Sequence, residues 1–395
     1  MALAWRLCFP ACRLIKRTRI SKDRKTETMT ALKPRASITS LIRYKPNLTT
    51  GRSGPVIRLS ANEGALGPSP NAIDAMSRVM GEMHRYPSVD SSGLAEAIAR
   101  KHGIDADRIV FGCGSDELIS LVCQAYLEPG DEAIHTQYGF VMFPHATTVA
   151  GGVPVVAADN GFTVSVDNIL DKVGPRTRIV FLANPNNPTG TYIPRDEVQR
   201  LRDGLRDDIL LVLDAAYAEF VSRNDYADGI EFVEANENVV MLRTFSKLYA
   251  LAGMRLGWGY MPREVAAVLH GIKAPFSVSI PALAAGLAAI EDQAFEDRSL
   301  SHNRVMVDWT SQKLGALGLE VCPTVTNFFL TRFPDEQGRT AGECYAYCAE
   351  RNILLRQMDA YGLPDYLRMS VGTEEEMLLV VNTVAAFLGQ EPVSA

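Results

Sequence analysis

Residues 243–255 combine one lysine with several groups that can bind an anion, directly after an apolar run that predicts a buried strand. Thr244 and Ser246 can donate hydrogen bonds to phosphate oxygens, and Arg255 can bind a phosphate through two parallel hydrogen bonds. Lys247, next to apolar neighbours at the end of the strand, can stay partly unprotonated and act as a nucleophile. This pattern predicts a phosphate held beside a reactive amine. A solvated lysine in an ordinary strand–helix turn is the alternative, and three further motifs argue against it.

The first of these motifs is Asn-Pro-Asn-Asn-Pro-Thr-Gly at 184–190, which follows a strand-like run. Two prolines and a glycine predict a non-helical turn in which one X-Pro bond can be cis. Asn187 can donate from its amide to an oxygen of a bound ring. A tight turn held by its own asparagine side chains is the alternative.

The second motif places Asp214 and Tyr217 after the apolar run 209–213. A carboxylate that ends a buried strand is costly unless a cation or hydrogen bonds stabilise it. A protonated ring nitrogen is such a cation, and Tyr217 can reach a phenolic oxygen on the same ring. An N-cap role for Asp214 is the alternative.

The third motif, Gly-Cys-Gly-Ser-Asp-Glu at 112–117, opens a predicted helix. Glycines before a helix let backbone N–H groups approach an anion, and Ser115 adds a hydroxyl. A dinucleotide-binding oxidoreductase is excluded, because the third glycine of Gly-x-Gly-x-x-Gly is missing and no acidic residue ends a second strand at the right spacing.

Apolar runs that alternate with helical patterns predict the elements that carry these motifs. The strand-like runs are 109–112, 132–136, 153–157, 179–183, 209–213, 239–242 and 256–260. Helical patterns such as 116–126 and 195–203 lie between most of them. Such alternation favours a mostly parallel sheet covered on both faces, whose ligands collect at the carboxyl ends of the strands. Because all four motifs follow such ends, we expect them to form one site.

The pattern changes after Pro281, where longer helices alternate with short strands. The predicted helices there are 304–317, 341–351 and 374–388, and the predicted strands are 319–321, 327–330, 353–356 and 366–370. This favours a smaller α+β domain. The expected division is a leader at 1–28, an arm at 29–70 that belongs partly to the small domain, a large domain at 71–280 and a small domain at 281–395.

In this order, the four motifs resemble those of the fold-type I pyridoxal-phosphate aminotransferases, and most closely the histidinol-phosphate aminotransferase family. Further signals are the segment 59–70, Arg-Tyr-Pro at 85–87 and Leu-Arg-Met-Ser-Val-Gly-Thr at 367–373. The resemblance runs from about Leu59 to about Leu388. It implies an α/β fold with a mostly parallel seven-stranded sheet flanked by helices, plus a smaller α+β domain.

The segment 59–70 departs from the family in one place. The family usually has Asn-Glu-Asn-Pro-Leu-Gly where this chain has Asn-Glu-Gly-Ala-Leu-Gly at 62–67. Because this loop lies near the substrate in the family, the glycine at 64 is expected to affect substrate specificity rather than cofactor chemistry.

The resemblance also implies a role for each matched residue. Lys247 is expected to hold the cofactor covalently and to move the substrate's α-proton, while Asp214 keeps the ring nitrogen protonated. Asn187 and Tyr217 are expected to bind the phenolic oxygen, and Tyr138 to stack on the ring. The groups expected around the phosphate are Ser115, Asp116 (through its backbone N–H), Thr244, Ser246 and Arg255.

Four further residues are expected to bind the substrate or to reach the active site of a neighbouring subunit. Tyr86 resembles a tyrosine that reaches the cofactor phosphate of the neighbouring subunit, which implies a homodimer with shared active sites. Asn62, Arg356 and Arg368 are expected to bind substrate. Two guanidinium groups suit a dianionic phosphate, which favours histidinol phosphate with 2-oxoglutarate and glutamate as the second substrate pair. An aromatic amino-acid or prephenate aminotransferase, or a phosphothreonine decarboxylase, is the alternative within the class.

The composition of the chain limits its possible partners, location and metal content. The chain has 395 residues, 47% of them hydrophobic, and a net charge of −6. This charge argues against nucleic acid as the main partner, and no apolar run approaches the roughly 18 residues of a membrane span. Seven cysteines form no Cys-x-x-Cys pair and the histidines no ligand cluster. We therefore expect reduced thiols, a cytoplasmic location and no structural metal.

The first 28 residues carry eight lysines or arginines and two acidic residues. Such a composition suits either a targeting segment or a start assigned too early, with Met29 as the alternative start. Either interpretation excludes this leader from the fold. A non-catalytic regulatory module is a further alternative, but it would need a DNA-binding domain ahead of the cofactor domain, and Lys247 argues against it.

Overall fold

A computed structural model describes residues 32–39, 41, 54–87 and 91–393, so the predicted leader at 1–28 lies outside the described residues. The strands are β1 (Ile57–Arg58), β2 (Ile109–Cys113), β3 (Glu132–Thr136), β4 (Val153–Ala157), β5 (Thr177–Ala183), β6 (Leu210–Asp214), β7 (Val239–Thr244), β8 (Leu256–Tyr260), β9 (Glu320–Val321), β10 (Phe328–Arg332), β11 (Ile353–Leu354), β12 (Arg356–Gln357) and β13 (Tyr366–Ser370).

The α-helices are α1 (Ala36–Thr39), α2 (Pro70–Val79), α3 (Ser92–His102), α4 (Ser115–Tyr126), α5 (Met142–Ala150), α6 (Val166–Leu170), α7 (Arg195–Gly204), α8 (Ile230–Ala235), α9 (Arg263–Ile272), α10 (Ile280–Glu291), α11 (Gln293–Ala316), α12 (Ala341–Glu350) and α13 (Glu374–Phe387). Among the described residues, no helix is both long enough and apolar enough to span a membrane.

The large sheet has seven strands in the order β2-β8-β7-β6-β5-β3-β4. Six of these strands run in one direction, and β8 alone runs in the opposite direction. The predicted α/β fold with a mostly parallel seven-stranded sheet is therefore confirmed. Four strands pass their predicted bounds, since β2 ends at Cys113, β5 begins at Thr177, β6 ends at Asp214 and β7 ends at Thr244.

The central strands are buried on both faces. In β6, Leu211 and Leu213 pack into one hydrophobic core, whereas Leu210 and Val212 pack into a second core. Because successive side chains of a strand point to opposite faces, the two cores lie on opposite sides of the sheet. This explains why the strand is a continuous apolar run instead of an alternating pattern.

Capping residues fix where several helices begin. The hydroxyl of Ser69 accepts a hydrogen bond at the start of α2. Thr340 with Glu343, and Thr373 with Glu376, form capping boxes that begin α12 and α13. These side chains satisfy backbone N–H groups that have no partner within the helix.

A second, four-stranded sheet has the order β12-β13-β10-β9 and is antiparallel throughout. Its core includes Phe329 and Met369 with Val380 and Val384 of α13. The prediction of a single strand at 353–356 is wrong, because this segment is divided into β11 and β12, which belong to different sheets. β11 pairs with β1, which no local pattern signals.

The pairing of β1 with β11 brings the N-terminal segment into the C-terminal part of the chain. The two strands are parallel, and the N–H of Ser370 then donates to the carbonyl of Leu59 at 2.9 Å. This fixes the course of the residues after Leu59, which run from the small sheet to the strand ends of the large one. The predicted domain boundaries at 70/71 and 280/281 stay predictions. Helix α10 contributes Ala282 and Ala285 to one core of the large sheet.

Candidate active site

A cavity of about 230 Å³ lies at the carboxyl ends of the parallel strands, and all four sequence motifs contribute to it. Its lining consists of Ala61, Glu63, Gly114, Ser115, Asp116, Phe140, Ala183, Pro185, Asn187, Asp214, Ala216, Tyr217, Thr244, Ser246, Lys247, Ala252 and Arg255. Strands that run in parallel end at one edge of a sheet, so motifs far apart in the sequence meet there.

Lys247 lies in the turn after β7 with its amine in this cavity. The Nζ atom donates a hydrogen bond to the carbonyl of Ala61 at 3.1 Å and lies 5.8 Å from the ring centroid of Tyr217. Desolvation lowers the pKa of Lys247 to about 8, and the positive charge of Arg368 acts in the same direction. An amine with this pKa has an appreciable unprotonated fraction near neutral pH, as a nucleophile or base requires.

Asp214 ends β6 and is 6% exposed. Its Oδ1 accepts a hydrogen bond from the N–H of Ala216 at 3.2 Å. Burial, together with the negative charge of Asp116, raises the pKa of Asp214 to about 7, while the hydrogen bond from Ala216 and the charge of Lys247 oppose the shift. A carboxylate in this position is stabilised by a cation at hydrogen-bond distance, which a protonated ring nitrogen would be.

Tyr217 is buried and is bonded to the N-terminal segment. Its hydroxyl accepts a hydrogen bond from Nδ2 of Asn62 at 2.8 Å, and burial raises the pKa of Tyr217 above its ordinary value. Asn62 in turn donates from its backbone N–H to Oγ of Ser370 at 2.8 Å. The phenol therefore stays protonated and can donate into the cavity. The described lining includes neighbours of Asn62 but not Asn62 itself, so its predicted contact with substrate stays a prediction.

Arg368 connects the small sheet to the cofactor motifs. Its Nη1 donates to Oδ1 of Asn187, and its Nη2 donates to the carbonyl of Ser60 at 2.9 Å. Because the oxygen of the Asn187 amide accepts from Arg368, the amide NH₂ group is the part that can donate into the cavity. Arg356 lies directly opposite Arg368 on antiparallel strands, so both side chains leave the same face of the sheet.

Hydroxyl, backbone and guanidinium groups form one pole of the cavity. Ser115 begins α4, and the helix N-terminus favours a bound anion. Oγ1 of Thr244 accepts a hydrogen bond from the N–H of Ser246 at 3.1 Å. Nη2 of Arg255 lies 3.2 Å from Oδ2 of Asp116. The carboxylate of Asp116 thus pairs with Arg255. The sequence predicted a role only for the backbone N–H of Asp116, so this ion pair was not foreseen.

Two glycines, which have no side chain, allow the groups of this pole to pack close to the backbone. A Cβ at Gly114, where φ is +81°, would lie 2.4 Å from Nη2 of Arg255. A Cβ at Gly257 would lie 2.3 Å from the backbone nitrogen of Ser115. Any side chain at either position would displace a group that faces the cavity.

The turn at 184–190 contains two cis peptide bonds, Asn184–Pro185 and Asn187–Pro188, where the sequence predicted one. Both polar ends of the Asn184 amide bond to the backbone of Ile193, at 3.1 Å and 2.9 Å. The turn is thereby held against the following segment, and Pro185 and Asn187 line the cavity.

Two predicted aromatic residues lie outside the described cavity lining. The N–H of Tyr138 donates to Oδ2 of Asp159 at 2.9 Å, and its ring centroid lies 5.5 Å from that of Phe162. Phe140 lines the cavity instead. No local pattern distinguishes these two aromatic residues, which are two positions apart. Tyr86 is 79% exposed and stacks on Phe276, with ring centroids 4.6 Å apart.

Sequence reasoning missed that residues next to Asn62 contribute to the cavity lining. Ala61 and Glu63 line the cavity, and Nδ2 of Asn327 donates to the carbonyls of Asn62 and Glu63 at 3.1 Å and 3.3 Å. The motif at 59–70 was the available signal, but it did not reveal which atoms face the lysine.

Sequence reasoning also missed a buried ion pair behind the site. Arg243 is 3% exposed, and its Nη1 lies 3.0 Å from Oε1 of Glu219, while Nη2 lies near Asp228. Arg243 precedes Thr244, and Glu219 follows Tyr217 by two residues. The pair therefore holds two cavity-lining segments together.

Comparisons with known proteins agree with this geometry. Residues 54–384 match the model of the family described as aminotransferase class I and II. A histidinol-phosphate aminotransferase of Paramagnetospirillum magneticum is 53% identical over 334 residues, which cover 85% of this chain and 92% of that protein. One of Rhodopseudomonas palustris is 48% identical over 335 residues, with 85% and 92% covered.

A solved structure shows the same fold at lower identity. The crystal structure of histidinol-phosphate aminotransferase from Sinorhizobium meliloti in complex with pyridoxal-5'-phosphate superposes with a TM-score of 0.83 at 26% identity, covering 92% of this chain and 99% of that one. The family match over residues 54–384 includes the strands of all three sheets. The chain therefore belongs to the histidinol-phosphate aminotransferase family, within the class I and II aminotransferases.

Proposed function

We propose that this protein catalyses the pyridoxal-phosphate-dependent transamination of L-histidinol phosphate with 2-oxoglutarate, which gives imidazole acetol phosphate and glutamate in histidine biosynthesis. The observation that carries this proposal is the amine of Lys247 in a cavity between an anion-binding pole and the buried carboxylate of Asp214. The names of the relatives at 53% and 48% identity support the choice of substrate.

The donor set of the cavity fits pyridoxal phosphate. The cofactor supplies an aldehyde that carries the amino group and an aromatic ring that accepts the electrons of a broken C–H bond. The hydroxyls of Ser115, Thr244 and Ser246 and the guanidinium of Arg255 surround one pole, where they would bind the phosphate. The glycines at 114 and 257 keep that pole open to backbone N–H groups.

At the other pole, three side chains match the polar atoms of the ring. Asp214 would bind the protonated ring nitrogen, which favours the charged form of a carboxyl whose pKa burial has raised to about 7. Tyr217 and the NH₂ group of Asn187 would donate to the phenolic oxygen. Phe140 lines the same cavity and provides an apolar surface for the ring.

Lys247 is the base that moves the α-proton of the substrate. With a pKa near 8, its amine accepts a proton readily near neutral pH. The carbonyl of Ala61, 3.1 Å from Nζ, orients the amine, and Arg368 and Arg255 disfavour its charged form.

Arg368 and Arg356 are the proposed substrate-binding pair. Their opposite positions on β13 and β12 put two guanidinium groups on one face, which suits a dianionic phosphate. No feature of the described residues specifically favours the aromatic or prephenate alternative, and the relatives carry the histidinol-phosphate name.

We also propose a homodimer with shared active sites, in the cytoplasm. Tyr86 and its stacking partner Phe276 supply exposed aromatic surface outside the cavity, where a second subunit can bind. The buried thiols Cys123, Cys344 and Cys348 are free, as in proteins of reducing compartments.

A panel of amino donors tests the substrate. The purified protein, loaded with pyridoxal phosphate and supplied with 2-oxoglutarate, is assayed with histidinol phosphate, phenylalanine and tyrosine. We expect kcat/KM for histidinol phosphate to be about 100-fold higher, because its dianionic phosphate can bind two guanidinium groups where a singly charged carboxylate suits one, a difference on the order of 3 kcal/mol. Equal or higher values for phenylalanine or tyrosine would favour the aromatic alternative.

A further inference from the structure

Gly64 departs from the family pattern, and it packs against the turn that carries Lys247. The expectation that its loop lies near the substrate stays a prediction. A Cβ at Gly64 would lie 2.6 Å from Cβ of Ala250 and 2.9 Å from the carbonyl oxygen of Lys247. Both distances are shorter than van der Waals contact, so any side chain at this position would displace backbone.

The residues just before Gly64 cannot easily move away from this turn. The N–H of Asn62 donates to Oγ of Ser370 at 2.8 Å. Nδ2 of Asn327 donates to the carbonyls of Asn62 and Glu63 at 3.1 Å and 3.3 Å. Three hydrogen bonds to backbone groups, two of them buried and one partly buried, therefore hold this segment against the small sheet.

The turn on the other side is equally tight. The N–H of Ala250 donates to the carbonyl of Lys247 at 3.1 Å, and Ala250 has a φ of +53°. A left-handed conformation costs about 1 kcal/mol for a residue with a side chain. The turn thus keeps its shape although Ala250 would be less strained as glycine.

We propose that Gly64 is a positioning residue for Lys247: the missing side chain lets residues 61–64 pack directly on the Lys247–Ala250 turn, so that the carbonyl of Ala61 can hold the lysine amine at the cavity. The contact links the proposed substrate-side segment to the proposed base. This inference rests on the proposed role of Lys247 but concerns a separate property, the placement of its amine.

The contact has a measurable chemical consequence. The carbonyl of Ala61 accepts from Nζ at 3.1 Å, and the charge of Glu63 raises the pKa of Lys247. Both groups favour the ammonium form, and both belong to the segment that Gly64 fixes. Displacing the segment weakens both interactions, so the pKa of Lys247 should fall.

The test is the Gly64→Ala variant of the full-length protein. Competitive acetylation of its lysines across a range of pH, read by mass spectrometry after removal of the cofactor, gives the pKa of Lys247 directly. We expect a decrease of about 0.5 to 1 unit from the wild-type value. In the loaded enzyme, the pH midpoint of the visible absorbance band should move as well.

Two further variants show whether the contact with Ala250 is responsible. Ala250→Gly removes the nearest atom from a Cβ at position 64, so the double variant Gly64→Ala/Ala250→Gly should recover at least half of the shift. Gly271→Ala, in α9 with nothing within 4 Å of its Cβ, is the matched control and should keep the wild-type pKa. If Gly64→Ala does not fold, the double variant compared with Ala250→Gly alone should still show a smaller decrease in the pKa of Lys247, because the carbonyl oxygen of Lys247 stays 2.9 Å from the Cβ at position 64, and the absence of a decrease there overturns the positioning role.

The outcomes separate this inference from the proposed function. A wild-type pKa in Gly64→Ala, or a shift that Ala250→Gly does not reduce, overturns the positioning role while leaving Lys247 as the base. If Lys247 of the wild-type protein titrates like an ordinary lysine and does not form a borohydride-stable adduct with the cofactor, the proposed function itself fails.

Discussion

The proposed cofactor-binding residues and the proposed substrate-binding residues, called here the cofactor side and the substrate side, are held in place in different ways. On the cofactor side, Ser115, Asp214 and Lys247 lie at or within three residues of the ends of β2, β6 and β7. On the substrate side, Asn62 and Arg368 are held by hydrogen bonds between residues 308 positions apart in the sequence. The first half depends on strand order, and the second depends on the docking of two distant segments.

This difference determines what a substitution should do. A cofactor-side group acts on the reacting atoms themselves, so its loss should reduce the rate of the chemical step. A substrate-side group binds substrate or holds another side chain, so its loss should weaken binding or cause a smaller change in rate.

The largest effect is expected for Lys247→Ala. Removing the amine eliminates both the covalent link and the proposed base, so kcat/KM should fall by about 10⁴-fold or more. Borohydride reduction followed by mass spectrometry should no longer fix the cofactor to the chain. Lys172→Ala, at an exposed lysine, should keep wild-type activity and labelling. Retained turnover in Lys247→Ala would show that this lysine does not act on the reacting atoms, which contradicts the comparison.

The next effect is expected for Asp214→Asn. A neutral amide cannot stabilise a protonated ring nitrogen, so kcat should fall by about 10² to 10³-fold, as for the loss of other preorganised electrostatic groups. Steady-state kinetics with saturating cofactor measures this. An unchanged kcat would show that ring protonation does not depend on this carboxylate.

The same substitution should stabilise the cofactor-free protein at high pH. Because the folded-state pKa of Asp214 is about 7 and the ordinary value is 3.8, its protonation favours the folded state below about pH 4. This contribution is lost as the pH rises through about 7. Asp214→Asn should therefore exceed the wild type in free energy of unfolding at pH 8 by on the order of 3 kcal/mol, and by less at pH 5.5. Urea unfolding at both pH values would show it, and equal differences would contradict the assigned pKa.

On the substrate side, Arg368→Ala should raise KM for histidinol phosphate by about 30 to 100-fold, the effect of losing one charge-assisted hydrogen-bond pair. It should also raise the pKa of Lys247, because the arginine lowers it. Arg332→Ala, at the exposed end of β10, is the control and should leave both values unchanged. An unchanged KM in Arg368→Ala would remove this arginine from the substrate pocket.

The smallest effect is expected for Asn62→Ala. Losing the hydrogen bond to the hydroxyl of Tyr217 should lower kcat by about 3 to 10-fold, since one such bond contributes on the order of 1 kcal/mol. Asn62 has a φ of +56°, so alanine also introduces backbone strain. Asn62→Gly removes the amide without that strain. Wild-type kinetics in Asn62→Gly would show that the amide does not position Tyr217.

The meeting of the four motifs at one edge of the large sheet could be predicted for a physical reason. Long apolar strands are recognisable from composition alone, and parallel strands must end at one edge, so Asp214 and Lys247 could be assigned to one site. The start of α11 was predicted 11 residues too late, at 304 instead of Gln293, because the N-cap Asp292 was not recognised. The confirmed family and fold follow mainly from these local signals.

Contacts that depend on tertiary packing could not be predicted on either side. On the cofactor side, whether Phe140 or Tyr138 lines the cavity depends on how the loop after β3 packs, and both are aromatic. The separation of 353–356 into β11 and β12 depends on β1, almost 300 residues earlier in the sequence. Such contacts arise from tertiary packing, for which one sequence carries no local pattern.

The parallel pairing of β1 with β11 has a consequence for how the chain matures. During synthesis the large sheet can form as soon as β8 has left the ribosome, but residues 57–63 must wait for their partners. Their anchors are Ile353, Leu354 and Ser370, which are synthesised about 300 residues later. A nascent chain that stops before Ser370 should therefore contain the phosphate-binding pole before the carbonyl that holds the lysine is in place, so activity should require the synthesis of residues 353–370.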